Sequence, residues 1–135
     1  MISGIGIDIV DIRRIEKILL KSQEKFLEKY FTANEIRLSK KYKGKKYASY
    51  FAKRFSAKEA VAKALGTGFG KSLAFKDIEV IKEKSGRPEI RLKGKATRLA
   101  GKNVKFHISL SDEYPFAVAM VVVIAGKKHL MKDQN

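Results

Sequence analysis

Phe51–Gly70, FAKRFSAKEAVAKALGTGFG, changes character at Gly66. Before that point Ala52, Ala57, Ala60, Ala62 and Ala64, with Val61 and Leu65, supply strong helix formers and an apolar surface, while Lys53, Arg54, Lys58, Glu59 and Lys63 supply charge. The pattern predicts a helix, and a glycine just past its last periodic residue stops it. Gly66, Gly68 and Gly70 then leave a backbone that another group can approach closely. Glu59 and Lys63 share one helix face, with Arg54 and Lys58 about one turn back. Each has a plain structural alternative. Ser56 to Glu59 fits a capping box, although the helix formers ahead of Ser56 argue for an earlier start, and a Glu59–Lys63 surface pair is worth only about 0.3–0.5 kcal/mol. Because the glycines follow a helix rather than a strand, they form neither a dinucleotide fingerprint nor a P-loop.

Upstream, Ile2–Val10 alternates, with Ile5, Ile7 and Ile9 on one face of a strand and Gly4, Gly6, Asp8 and Val10 on the other. Aspartate is depleted in strands, and the two glycines leave the face of Asp8 open, as a close-approaching ligand requires. Asp11 is the better cap for the helix that Ile12, Ile15, Ile18 and Leu19 announce, which leaves Asp8 free for chemistry. On that helix Arg13, Arg14, Lys17 and Lys21 form a basic surface opposed only by Glu16. Phe26, Leu27, Tyr30 and Phe31 are expected to pack inward. Thr32-Ala33-Asn34-Glu35 is a cleaner capping box and starts a second helix that ends near Gly44. Tyr47, Phe51 and Phe55 recur at helical spacing, which favours burial over base stacking.

Downstream, Ile78–Ile81 and Glu89–Leu92 flank Lys84-Ser85-Gly86-Arg87-Pro88 and read as a hairpin. A short helix is expected over Lys95–Gly101. Val104, Phe106, Ile108 and Leu110 alternate with Lys105, His107, Ser109 and Ser111, which puts His107 on a hydroxyl-lined face suited to a phosphate. Phe116–Ala125 reads as a continuous buried strand, and residues 126–135 as a basic tail after a single catalytic domain over 1–125.

The 135 residues suffice for one core, and thirty Lys and Arg against fourteen Asp and Glu give a net charge of +16. That excess predicts anionic partners. The absence of cysteine excludes disulfides, thiolate metal sites and a cysteine nucleophile. The N-terminus has no secretory pattern and the longest apolar run is too short to span a bilayer, so a soluble cytoplasmic protein with no membrane partner is expected.

Three motifs, GIGIDIV at Gly4–Val10, RFSAKEAVAKALGTGFG at Arg54–Gly70 and HISLSDEYPFAVAMVVV at His107–Val123, together resemble the short bacterial class of 4′-phosphopantetheinyl transferases, the holo-acyl-carrier-protein synthases. The resemblance implies an α+β fold, an antiparallel sheet packed with helices, assembled as a homotrimer that buries strand surface. It implies transfer of the phosphopantetheine arm of coenzyme A to a serine of apo acyl carrier protein, releasing adenosine 3′,5′-bisphosphate, with coenzyme A bound at subunit interfaces. Asp8 and Glu59 correspond to the Mg²⁺ ligands, and Lys63 joins them as a catalytic cation. Arg54 and Lys63 correspond to phosphate binders, Gly66, Thr67, Gly68 and Gly70 to the cofactor pocket, and Pro88 and His107 to the nucleotide end. Arg14 matches a docking arginine, to which Arg13, Lys17 and Lys21 are added by position.

Two carboxylates are enough for Mg²⁺, which keeps waters and takes further oxygens from substrate phosphates. The serine's base is open between Glu59, a water on the metal and another carboxylate. Asp112 stands where such enzymes commonly carry a second histidine. A basic nucleic-acid-binding module is the competing class, but carboxylates at positions 8 and 59 would oppose a polyanion. No nucleic-acid partner is expected.

Overall fold

Ten residues of alternating isoleucine and small or polar side chains form strand β1 (Ile2–Asp11), which pairs antiparallel with β5 (Phe116–Ile124), itself paired antiparallel with β4 (Lys105–Glu113). The computed structural model describes residues 1–126. Between β1 and β4 the chain runs through α1 (Ile12–Tyr30), α2 (Ala33–Ser39), α3 (Lys45–Leu65) and a 3₁₀ turn at Phe75–Asp77. The β2 (Ile78–Lys82) and β3 (Pro88–Leu92) hairpin and α4 (Lys95–Ala100) follow. Helices pack on antiparallel sheets, the α+β architecture expected. The tail assignment beyond residue 126 lies outside the described residues, and Gly126 itself is buried against Lys102 and Asn103, part of the packed body rather than of a tail.

Helix α3 lies across the inner face of the three-stranded sheet. Ala57, Ala60, Val61 and Ala64 pack on Ala119, Val121 and Val123, with Leu73, Ile78 and Val80 closing the same core. A second cluster joins Ile12, Ile15, Phe26, Leu27 and Phe31 to Phe51, Ala52 and Phe55, so the aromatic stripe of α3 is core, as its spacing implied. The caps also hold. Asp11 accepts from the Arg13 N–H, and Thr32 and Glu35 cap each other reciprocally. Helix α3 starts at Lys45, well ahead of Ser56, whose hydroxyl instead donates to the Asp8 carbonyl at 2.9 Å. Helix α1 runs further than the sequence pattern indicated, to Tyr30, with a kink at Ser22, and α2 ends sooner, at Ser39.

Two expectations are corrected. The glycines of β1 do not hold a face open for a ligand. A Cβ on Gly4 would lie 2.0 Å from the Ala64 carbonyl oxygen and one on Gly6 1.9 Å from that of Ala60, so the close-approaching group is the backbone of α3. Strand β5 is buried on one face only. Phe116 and Met120 on its outer face are 44% and 46% exposed, and across the sheet Ile5, Ile7 and Ile9 are 64%, 59% and 62% exposed.

A Gly6→Ala substitution should therefore push α3 off β1. Overpacking of this kind typically costs about 1–3 kcal/mol, and against rigid backbone the upper end is expected. Urea unfolding of the variant checks this, and a loss below about 1 kcal/mol would show that strand and helix separate easily.

Candidate active site

The close seating of α3 on β1 brings Asp8, Glu59 and Lys63 together. The Lys63 ammonium donates to the Ile7 carbonyl at 3.0 Å and to Asp8 Oδ1 at 3.1 Å, so its partner is Asp8 and not Glu59 one turn back on its own helix. Glu59 lies in the field of both groups. Burial pushes its carboxyl up, the Asp8 charge adds to that, and Lys63 and Arg14 only partly offset the rise. Arg14 therefore reaches the same corner from α1. Two mutually repelling carboxylates beside a lysine form a donor set for a hard cation.

Gly66 closes α3 in the left-handed conformation, φ +76°, and its N–H reaches the carbonyls of Ala62 and Lys63. Gly68 also has positive φ, and nothing lies within 4 Å of a Cβ placed on Gly66, Gly68 or Gly70. The loop carrying Thr67 thus borders the carboxylate corner with its backbone uncovered.

The remaining expected residues lie elsewhere. Arg54 and Lys58 do not join the basic surface around Glu59. Lys58 is wholly buried and donates to Glu35 Oε1 at 2.7 Å and to the Tyr30 and Phe75 carbonyls at 2.8 and 3.1 Å. Burial pushes its ammonium down, opposed by the charge of Glu35. Arg54 stacks on Tyr50, its Cζ 3.7 Å from the ring centre, and with Pro88, Lys46, Lys53 and Lys82 walls a cleft of about 560 Å³. Neither Asp8, Glu59 nor Lys63 borders that cleft. His107 sits on the outer face of β4 opposite Val122, in register with Ser109 and Ser111 on that face.

Asp112 belongs to the wall of the larger cleft, where it accepts from the Ser49 hydroxyl at 2.7 Å and pairs with Lys53 at 3.1 Å. Partial burial raises its carboxyl, but Ser49 and Lys53 outweigh this and hold it below the usual range. Sequence reasoning missed the Glu35–Lys58 pair. The capping box gave Glu35 a sufficient role, and nothing in a Lys-rich helix distinguishes the one lysine that turns inward.

On the first helix, Arg13 is engaged by Asp11 through two bonds of 3.0 and 2.7 Å. Arg14, Lys17 and Lys21 instead line a groove with Ile18 and Leu20.

Two carboxylates and a lysine, with an uncovered glycine loop directly after the helix that carries two of them, are groups suited to aligning and neutralising an anionic substrate, as a phosphoryl-type transferase requires. The chain belongs to the 4′-phosphopantetheinyl transferase superfamily, whose model matches residues 4–119. It is 48% identical over 124 residues to a holo-[acyl-carrier-protein] synthase of Wolbachia pipientis, covering 91% of this chain and 98% of the relative. Among solved structures it is similar to the holo-(acyl-carrier-protein) synthase of Bacillus anthracis in complex with CoA (3′,5′-ADP). That match has a TM-score of 0.80 and 41% identity, and covers 93% of this chain and 99% of that one. It is also similar to the Helicobacter pylori enzyme in complex with coenzyme A, with a TM-score of 0.77 and 40% identity, covering 89% and 99%. The chain is thus an enzyme, a phosphopantetheinyl transferase of the holo-[acyl-carrier-protein] synthase type.

Because the folded Glu59 carboxyl is raised, the folded state holds its proton to higher pH than the unfolded chain, and stability is lost as pH rises through that interval. Glu59→Gln removes the penalty. In divalent-free buffer the variant should melt above the parent at pH 8 and converge with it near pH 3–4, where both states of the parent carry the proton. Equal melting temperatures at pH 8 would show that neither burial nor the Asp8 charge penalises the ionised Glu59.

Proposed function

We propose that the chain moves the 4′-phosphopantetheine arm of coenzyme A onto a serine hydroxyl of an acidic apo acyl carrier protein in the cytoplasm, with Mg²⁺ held by Asp8 and Glu59. The observation that carries the metal assignment is the carboxylate pair itself, with Glu59 raised by burial and by the charge of Asp8. Bound there, the cation would neutralise charge on the pyrophosphate oxygens. In the transfer the serine hydroxyl gives its proton to a base and its oxygen forms a bond to the phosphorus carrying the pantetheine arm. The bond from that phosphorus to the bridging oxygen breaks, and adenosine 3′,5′-bisphosphate leaves.

The chain's own residues align these groups. Lys63, braced on the Ile7 carbonyl and Asp8, holds that carboxylate in place, and its exposed ammonium meets a phosphate. The backbone around Gly66, Thr67, Gly68 and Gly70 accommodates the coenzyme beside it. The negative end of α3 is partly softened because the Gly66 and Thr67 N–H groups donate to the Ala62 carbonyl and Gly66 also to that of Lys63. Arg54 and Pro88, in the larger cleft, receive the nucleotide end.

Since that cleft and the Asp8–Glu59 corner are separate in one chain, a complete site takes its nucleotide half from a neighbouring copy. The exposed isoleucines of β1, together with Met120, support an assembly that covers the outer face of the sheet, a homotrimer by resemblance. His107, on the same face, then lies at the border between copies.

Carrier-protein docking falls to Arg14, Lys17 and Lys21. Their groove adds the apolar surface of Ile18 and Leu20 to the charge, while Arg13 contributes less because Asp11 engages it.

Incubation with coenzyme A, Mg²⁺ and apo carrier protein should give a carrier heavier by one phosphopantetheine by mass spectrometry. Asp8→Asn and Glu59→Gln should each lower that rate by at least about a hundredfold, some 2.7 kcal/mol of barrier, while remaining folded. Near-parental activity in either would remove that carboxylate from the site.

Arg14→Glu should raise the KM for carrier protein far more than that for coenzyme A, and the difference should shrink as salt rises. Equal changes in the two constants, or none, would place docking elsewhere.

A further inference from the structure

Adjoining the larger cleft, and sharing Arg54 with it, is a second one of about 300 Å³, walled also by Arg37, Lys41, Tyr42, Lys82 and Arg91. Five cations converge there, and no carboxylate lines it. Among the described residues none of the five takes part in an ion pair, and the Arg37 side chain donates only to the Asn34 amide oxygen. Arg54 is the decisive member. It is 4% exposed, and its Nε has no hydrogen-bond partner among the described residues. The guanidinium stacks on Tyr50 and feels the charge of Glu35, but no carboxylate among the described residues pairs with it directly, and an anion in the cleft would supply that partner. The phenol of Tyr42 reports the same field: burial raises it, but Lys82 and Lys41 outweigh burial and hold it below its usual value.

We propose that this cleft is a second anion subsite that takes a small phosphoryl anion of the pyrophosphate class, and that it is linked to the nucleotide cleft through Arg54. Tyr42, Tyr50, Arg54 and Lys82 wall both clefts, so one guanidinium serves two sites. An anion in the smaller cleft and a nucleotide phosphate in the larger one compete for it, which makes their coupling negative and reciprocal. The subsite stands on its own residues, and only the coupling rests on the larger cleft being the coenzyme's.

Calorimetric titration of pyrophosphate into the purified protein tests this, with divalent ions chelated and ionic strength held constant with chloride. Saturable binding is expected. Arg37 and Arg91 are exposed, so Arg37→Gln/Arg91→Gln should fold normally. The double variant should lose at least about tenfold in pyrophosphate affinity while coenzyme A affinity changes less than about threefold. Arg54→Gln should weaken both ligands, and saturating coenzyme A should raise the apparent Kd for pyrophosphate. Non-saturating heats in the parent, or equal affinity in the double variant, would overturn the subsite. Independence of the two ligands would overturn the coupling. Failure of the parent to bind coenzyme A would instead count against the reading of the larger cleft, with the pyrophosphate result unaffected.

Discussion

The buried pair of Lys58 and Glu35 holds the helical half of the molecule to the rest. The Lys58 ammonium ties α3 to the last carbonyl of α1 and to the 3₁₀ turn before β2, while Glu35 accepts from the Thr32 N–H at the start of α2 and the Val80 N–H in β2. Each charge meets several partners, which is the condition under which a buried ion pair is tolerable. Removing one partner typically costs about 3–5 kcal/mol, because the other is left uncompensated. Here the loss would also release five elements at once.

That anchor fixes which way α3 faces. With Lys58 turned inward, Glu59, the next residue along, turns toward β1, where Gly4 and Gly6 admit the helix backbone and Asp8 waits on the same strand face. Arg54, one turn earlier, is carried to the opposite side and into the cationic clefts. A single helix thus presents Glu59 and Lys63 to Asp8 on one side and Arg54 to the cationic clefts on another.

Much of this was legible in the sequence because it rests on local rules. The Thr32–Glu35 capping box, the Asp11 cap, the Gly66 stop and the alternation in β1 and β4 depend on neighbours along the chain, and each is found as expected. What escaped depends on partners far apart in sequence. Lys58 and Glu35 are 23 residues apart, and Lys63 chose Asp8, 55 residues away, over the nearby Glu59. The spacing of Gly4, Gly6 and Asp8 identified an intimate approach but not the approaching group, since glycine reports only that a side chain is excluded. The outer face of β5 was expected to be buried because a run of apolar residues does not reveal whether the chain itself or another copy covers it.

The two faces of β1 also give the fold a means of proofreading its own assembly. In the observed register, glycines meet the carbonyls of α3 and isoleucines point away. A slip of one residue exchanges the faces, and Ile5 and Ile7 would be driven into backbone that has no room for a methyl group. Misaligned pairing of β1 with β5 is therefore incompatible with docking of α3, and a chain that errs there cannot bring Asp8 to Glu59. Correct strand alignment and the meeting of Asp8 with Glu59 and Lys63 are thus acquired in the same event.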